Sequence, residues 1–105
     1  MDEDTEIKVK EMRPQQLKAM LESGAPPMLL DVREAWEVAL GKIEGAVHIP
    51  MNWIPHRLDE LPREKTIVVY CASGMRSYAV AEYLLGQGFK DARNLEGGIE
   101  AWVQL

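Results

Sequence analysis

Cysteine, histidine and phenylalanine are nearly absent from this 105-residue chain, which has one Cys, two His and one Phe. A single cysteine rules out an internal disulfide. With only two scattered histidines beside it, it also makes a poor donor set for a metal, so no metal and no organic cofactor is expected. Cationic residues are in the minority, 12 Lys and Arg against 17 Asp and Glu. A formal charge of −5 with no basic stripe argues against a nucleic-acid partner. Long apolar runs are missing too, and the opening MDEDTE is acidic, so neither a signal peptide nor a membrane span is expected and the default compartment is the cytoplasm. No repeat appears, and a single domain is expected over these 105 residues. A hydrophobic fraction of 47% is enough for one domain to bury a core without disulfides or metal.

The chain is organised around TIVVYCASGMRSYAVAEY, Thr66 to Tyr83. Thr66, Ile67, Val68, Val69 and Tyr70 are β-branched or aromatic and predict a buried parallel strand. Ala79, Ala81, Glu82, Leu84 and Leu85 predict a helix. The lone cysteine, Cys71, falls where strand becomes helix. That is the carboxyl end of a strand, the usual ligand crevice of an open α/β sheet, facing the unpaired amides and positive dipole end of the next helix. A thiol there ionises more readily. Gly74 permits a tight turn and Arg76 adds a fixed positive charge, so CASGMR reads as a bowl of amides around a thiolate or an anion.

The remaining segments alternate in the same way. Met1 to Glu6 is expected to be a tail, and residues 7–105 the domain, with Ile7 and Val9 on a short edge strand. Pro14 opens a helix that Gly24 stops, and Met28 to Leu30 form a strand ending at Asp31. Glu34 to Leu40 is a short helix closed by Gly41, Ala46 to Ile49 a third strand, and Asn52 caps a helix through Ile54, Leu58 and Leu61. After the central helix, a glycine cap at Gly86 or Gly88 leads to a strand over Ala92 to Leu95, and Gly97 and Gly98 open a last helix. Strands alternating with helices predict an α/β fold, a parallel sheet covered on both faces.

Spacing distinguishes between cradles. The loop of protein tyrosine phosphatases needs five residues between cysteine and arginine to wrap a tetrahedral phosphate, and here only Ala72, Ser73, Gly74 and Met75 intervene. The pattern C-x-x-G-x-R followed by Ser77 instead resembles the active-site loop of the rhodanese, or sulfurtransferase, family. LLDVRE at Leu29 to Glu34 is similar to that family's first signature. GKIEGAVHIP at Gly41 to Pro50 is similar to its G-H-I-P-G-A-x-x-I-P segment, with Lys42 and Glu44 as departures, and NLEGGIEAW at Asn94 to Trp102 resembles its closing motif. Four such segments in order across one domain make a specific signal.

The resemblance implies a three-layer α/β/α rhodanese-like fold whose five parallel strands run in the order 3-2-4-5-1. It also implies sulfur transfer from thiosulfate or another persulfide donor to a thiophilic acceptor through a persulfide on Cys71, with substrate bound by Ala72, Ser73, Gly74, Met75, Arg76 and Ser77. Asp31 and Arg33 would support the neighbouring loops. The expected partners are small sulfur-containing anions or persulfide donors, with a sulfur-acceptor protein as a further candidate. Many family members with strong thiosulfate activity carry cations in the first loop positions, where this chain has Ala72 and Ser73. The competing readings are a non-catalytic binding or regulatory module and an arsenate reductase or phosphatase. Arg76 has two readings, attraction of substrate or a structural role, either pairing with a carboxylate such as Asp31, Glu34 or Glu82 or lying solvated in the first helical turn. His48 reads as a structural histidine before a base for Cys71, and His56 as solvent-facing. Trp36, Trp53 and Trp102 read as core or rim packing, with Trp36 or Trp53 a candidate wall of the pocket mouth.

Overall fold

The computed structural model describes residues 6–105, so all of the expected tail but Glu6 lies outside the described residues. Five strands form one sheet: β1 (Lys10–Met12), β2 (Met28–Asp31), β3 (Val47–His48), β4 (Thr66–Tyr70) and β5 (Asp91–Leu95). All pairings are parallel and the order is β1-β5-β4-β2-β3, which puts β4 in the middle. Four α-helices alternate with the strands: α1 (Pro14–Leu21), α2 (Ala35–Ala39), α3 (Met75–Gly86) and α4 (Gly98–Trp102).

Side chains on β4 alternate between two apolar layers, as the period of a strand requires. Ile67 and Val69 face the layer that holds Val80 and Leu84 of α3. Val68 and Tyr70 face the layer that holds Leu17 of α1, with Ile99 and Trp102 of α4 packed against it. Both faces being covered explains why Ile67 to Tyr70 read as one unbroken apolar run.

Several expectations need correction. The first strand is Lys10–Met12, after Ile7 and Val9, because the register that pairs it with Arg93 to Leu95 begins at Lys10. The helix expected from Asn52 to Leu61 is two 3-10 segments, Met51–His56 and Leu58–Glu60. Pro55 has no N–H to give an α-helical ladder, and Pro50, not Asn52, occupies the capping position. At the end of α3 the cap residue is Gln87, and Gly88, at φ +92°, supplies the left-handed turn beyond it. Trp36 and Trp53 lie outside the core, 67% and 57% exposed.

Candidate active site

Cys71 follows directly on β4, and α3 begins four residues later at Met75. Gly74, at φ +105°, is the N-cap of α3, a backbone conformation that a side chain would strain. The turn brings its own amides back to the sulfur. Gly74 N donates to Cys71 Sγ at 3.2 Å and Ser77 N at 3.4 Å, while Ser77 Oγ lies 3.2 Å away. Cys71 is 1% exposed. Burial pushes its thiol up, but hydrogen bonding around the sulfur, the amides of Ser77 and Gly74 included, outweighs it, and the net shift is downward.

The base of this loop is fixed from α4. Ile99 N donates to Cys71 O at 2.9 Å and Glu100 N to Ala72 O at 3.1 Å. Gly98 makes that approach possible, since a Cβ there would overlap the carbonyls of Cys71 and Ala72. On the other side, Ser77 Oγ donates to Asn94 Oδ1 of β5, and Asn94 Nδ2 donates to Gly74 O at 3.0 Å and to Glu11 Oε1 of β1 at 2.9 Å.

Arg76 pairs with Glu37 of α2, not with Asp31, Glu34 or Glu82. Two hydrogen bonds of 2.8 Å join guanidinium and carboxylate. The contact holds the Glu37 carboxyl down at about 2 and raises Arg76 further above its usual value. Glu37 also accepts from Glu34 N at 2.9 Å, closing the first turn of α2. The cation that a helix N-terminus disfavours is thus balanced across the loop.

Asp31 and Arg33 form a buried ion pair at 2.7 Å, and Arg33 NH2 also reaches Gly41 O at 2.8 Å, tying the end of β2 to the loop after α2. His48 Nε2 donates to Arg33 O at 2.6 Å, which fixes it as a brace for that loop. His56 is exposed, with its ring edge-on to Trp53. Within the loop, Ser77 is buried, Ala72, Gly74 and Arg76 are half-buried, and Ser73 and Met75 are exposed. Beside Ala72 lies a groove of about 460 Å³ walled by Trp36, Leu40, Lys42, Trp102 and Val103.

The loop and its supports are therefore brought together, but three partners went unread in the sequence: Glu37, Asn94 and Glu11. Asn94 carried a signal, a polar residue two positions from Ala92 and therefore on the same inward side of the strand. Glu37 and Glu11 carried none pointing to the loop. Among the described residues no group of His, Cys, Asp or Glu converges as metal ligands would.

The rhodanese-like domain family matches residues 13–105. The chain belongs to that family. A rhodanese-like domain protein from Staphylococcus aureus superposes with a TM-score of 0.85 at 39% identity, over 90% of this chain and 91% of that one. This rhodanese-like chain is also 40% identical over 96 residues to a sulfurtransferase of Allochromatium vinosum, covering 91% of this chain and 90% of that one. It is 37% identical over 93 residues to the thiosulfate sulfurtransferase GlpE of Pseudomonas savastanoi, covering 89% and 86%. In rhodanese-like terms, the four sequence segments now have places: Leu29 to Glu34 is β2 and its ion pair, Gly41 to Pro50 frames β3, Cys71 to Ser77 is the loop, and Asn94 to Trp102 is the end of β5 plus α4.

Proposed function

We propose that this chain is a sulfurtransferase that carries sulfur as a persulfide on Cys71. Its rhodanese-like relatives named as sulfurtransferases support the activity, and one observation carries the assignment of the cysteine: Sγ accepts two backbone amides, Gly74 and Ser77, at the start of α3. The thiol first gives its proton to water. The thiolate then attacks the sulfane sulfur of the donor, forming an Sγ–S bond as the donor's S–S bond breaks and the leaving group takes the electron pair. Thiosulfate would leave sulfite, and a persulfide would leave a thiol. The negative charge moves to the outer sulfur, inside the bowl of loop amides. A thiol or cyanide acceptor attacks that outer sulfur and returns the Cys71 thiolate. The cycle balances without a metal or organic cofactor, and it suits a cytoplasm in which thiols are kept reduced.

The donor class follows from charge. Arg76 is already balanced by Glu37, and Ala72 and Ser73 bring no cation. A small dianion gains little attraction there, which favours a low-molecular-weight or protein persulfide over thiosulfate. The acceptor side is a thiol, a sulfur-acceptor protein included. Four residues between Cys71 and Arg76 leave too narrow a bowl for a phosphate or arsenate, and the retained cysteine disfavours a purely binding role.

The test is intact mass after incubation with thiosulfate or with glutathione persulfide. Wild type gains the mass of one sulfur, more readily from the persulfide. Cys71→Ser, with an unchanged circular dichroism spectrum, gains none. A wild-type chain that takes up sulfur from neither donor would end this reading.

A further inference from the structure

The Ser77 hydroxyl has one proton and two neighbours that could receive it, Cys71 Sγ at 3.2 Å and Asn94 Oδ1. The orientation of Asn94 decides between them. Its other terminal atom lies 3.0 Å from Gly74 O and 2.9 Å from Glu11 Oε1. Both of those are acceptors, so that atom must be the NH2 group, and the amide cannot turn over without setting oxygen against two oxygens. Asn94 therefore aims its carbonyl oxygen at Ser77. An oxygen pair this close needs a shared proton, and only Ser77 has one. What Ser77 presents to Sγ is a lone pair.

We propose that Asn94 is a positioning residue for the thiol: clamped by Gly74 and Glu11, it holds the Ser77 proton away from Cys71, so that Ser77 accepts from the S–H group rather than donating to the sulfur. The chain of donors runs from Cys71 S–H to Ser77 O–H to Asn94 Oδ1. The two loop amides remain as the donors to Sγ.

The arrangement treats the free thiolate and the persulfide differently. With the proton gone, the charge of a free thiolate sits on Sγ itself. Ser77 must then either keep a lone pair against that charge or leave Asn94 Oδ1 unpartnered at a residue 2% exposed. Once sulfur is loaded, Sγ is uncharged, the charge lies on the outer sulfur, and Ser77 stays on Asn94 without conflict. The thiolate is therefore supported by the loop amides and not by the serine hydroxyl, and the loaded state is favoured over the free thiolate. This consequence rests on the sulfur-transfer reading. The orientation of the hydroxyl does not, and it is tested without any sulfur donor.

Because the chain has one cysteine, its S–H stretch gives a single infrared band. Below the titration of Cys71, the folded wild type is expected to show that band at lower frequency than the unfolded chain, as a thiol donating to oxygen does, and Ser77→Ala to move it back up. A wild-type band at the unfolded position overturns the proposal, and this holds even if no Asn94 variant folds. The second measurement is the pH profile of iodoacetamide alkylation. Asn94→Ala frees the Ser77 proton for Sγ and should lower the midpoint by about one unit, roughly tenfold more thiolate at a pH below both midpoints. In a Ser77→Ala background the same substitution should leave the midpoint where it is. A midpoint that stays or rises with Ser77 present, or that moves equally in both backgrounds, assigns Asn94 a purely structural role.

Discussion

Arg76 of α3 and Glu37 of α2, 39 positions apart in sequence, meet through two parallel hydrogen bonds of 2.8 Å. This pair sets the charge at the mouth of the Cys71 loop. The side chain that looked available for an anionic substrate already has a carboxylate against it.

Removing that carboxylate's charge should improve the use of a small dianion. Glu37→Gln is expected to lower the KM for thiosulfate about three- to fivefold at low ionic strength, an effect of about 1 kcal/mol that added salt erodes. It should also cost the fold about 1 kcal/mol by weakening the tie between α2 and α3. Steady-state kinetics at two salt concentrations and urea denaturation would measure both. An unchanged KM at low salt would show that Arg76 attracts substrate despite its partner.

The same pair has a signature in pH. Its hydrogen bonds to Arg76 hold Glu37 down to about 2 from a usual value of 4.5. A depressed carboxyl contributes stability in full above its unfolded value and loses it as pH falls through the folded one. The urea midpoint should therefore fall between pH of about 4.5 and 2, and fall less steeply in Glu37→Gln. Asp31, where burial pushes up but the Arg33 hydrogen bonds leave the net shift downward, and Asp91, held low by Arg93, add to the wild-type decline and remain in the variant.

A cation placed at the loop start should act like the loss of Glu37. Ala72→Arg is expected to lower the thiosulfate KM about fivefold, since one partly exposed cation contributes about 1 kcal/mol of attraction. Discharge of the persulfide to a thiol acceptor should change little. Comparing KM with single-turnover discharge separates the two, and equal effects on both would contradict the assignment to donor attraction.

Gly98 should be intolerant of a side chain. At φ +63° an alanine is strained, and its Cβ would overlap the Cys71 and Ala72 carbonyls. Gly98→Ala is expected to cost about 2–4 kcal/mol and to abolish sulfur loading by displacing the loop base. Gly24, at φ +87° with no atom within 4 Å of a built Cβ, is the control. Gly24→Ala carries only the backbone strain, about 1 kcal/mol, and should load normally. Denaturation midpoints and intact mass on both variants decide it.

What could be read from sequence was whatever local pattern dictates. Ile67 to Tyr70 announced a buried strand because both of its faces are covered, and Gly74 announced the tight turn that its φ of +105° makes at the start of α3, whereas Gly98 was read only as a helix opener and its close approach to the Cys71 and Ala72 carbonyls was not. The segment after Pro50 misled because Ile54, Leu58 and Leu61 have helical spacing, while Pro55 breaks the ladder that spacing implies. Of the two tryptophans offered as a wall of the pocket mouth, Trp36 stands at the rim of the groove beside Ala72, while Trp53 is exposed and lies away from it. Glu37 and Asn94 were missed for another reason. Their partners, Arg76 and Ser77, come from elements that only the sheet order places beside them.

The α4 amides that hold the Cys71 and Ala72 carbonyls bear on protein engineering. Grafted onto another strand-to-helix junction, the heptapeptide from Cys71 to Ser77 would arrive without Ile99 N, Glu100 N, Asn94 or Glu37. Its peptide planes would be free to rotate, and its serine and arginine would find whatever neighbours the host offered. The transplantable unit is the loop together with Glu37 of α2 and the stretch from the end of β5 into α4, three pieces of chain that a designer would have to carry over in their mutual geometry.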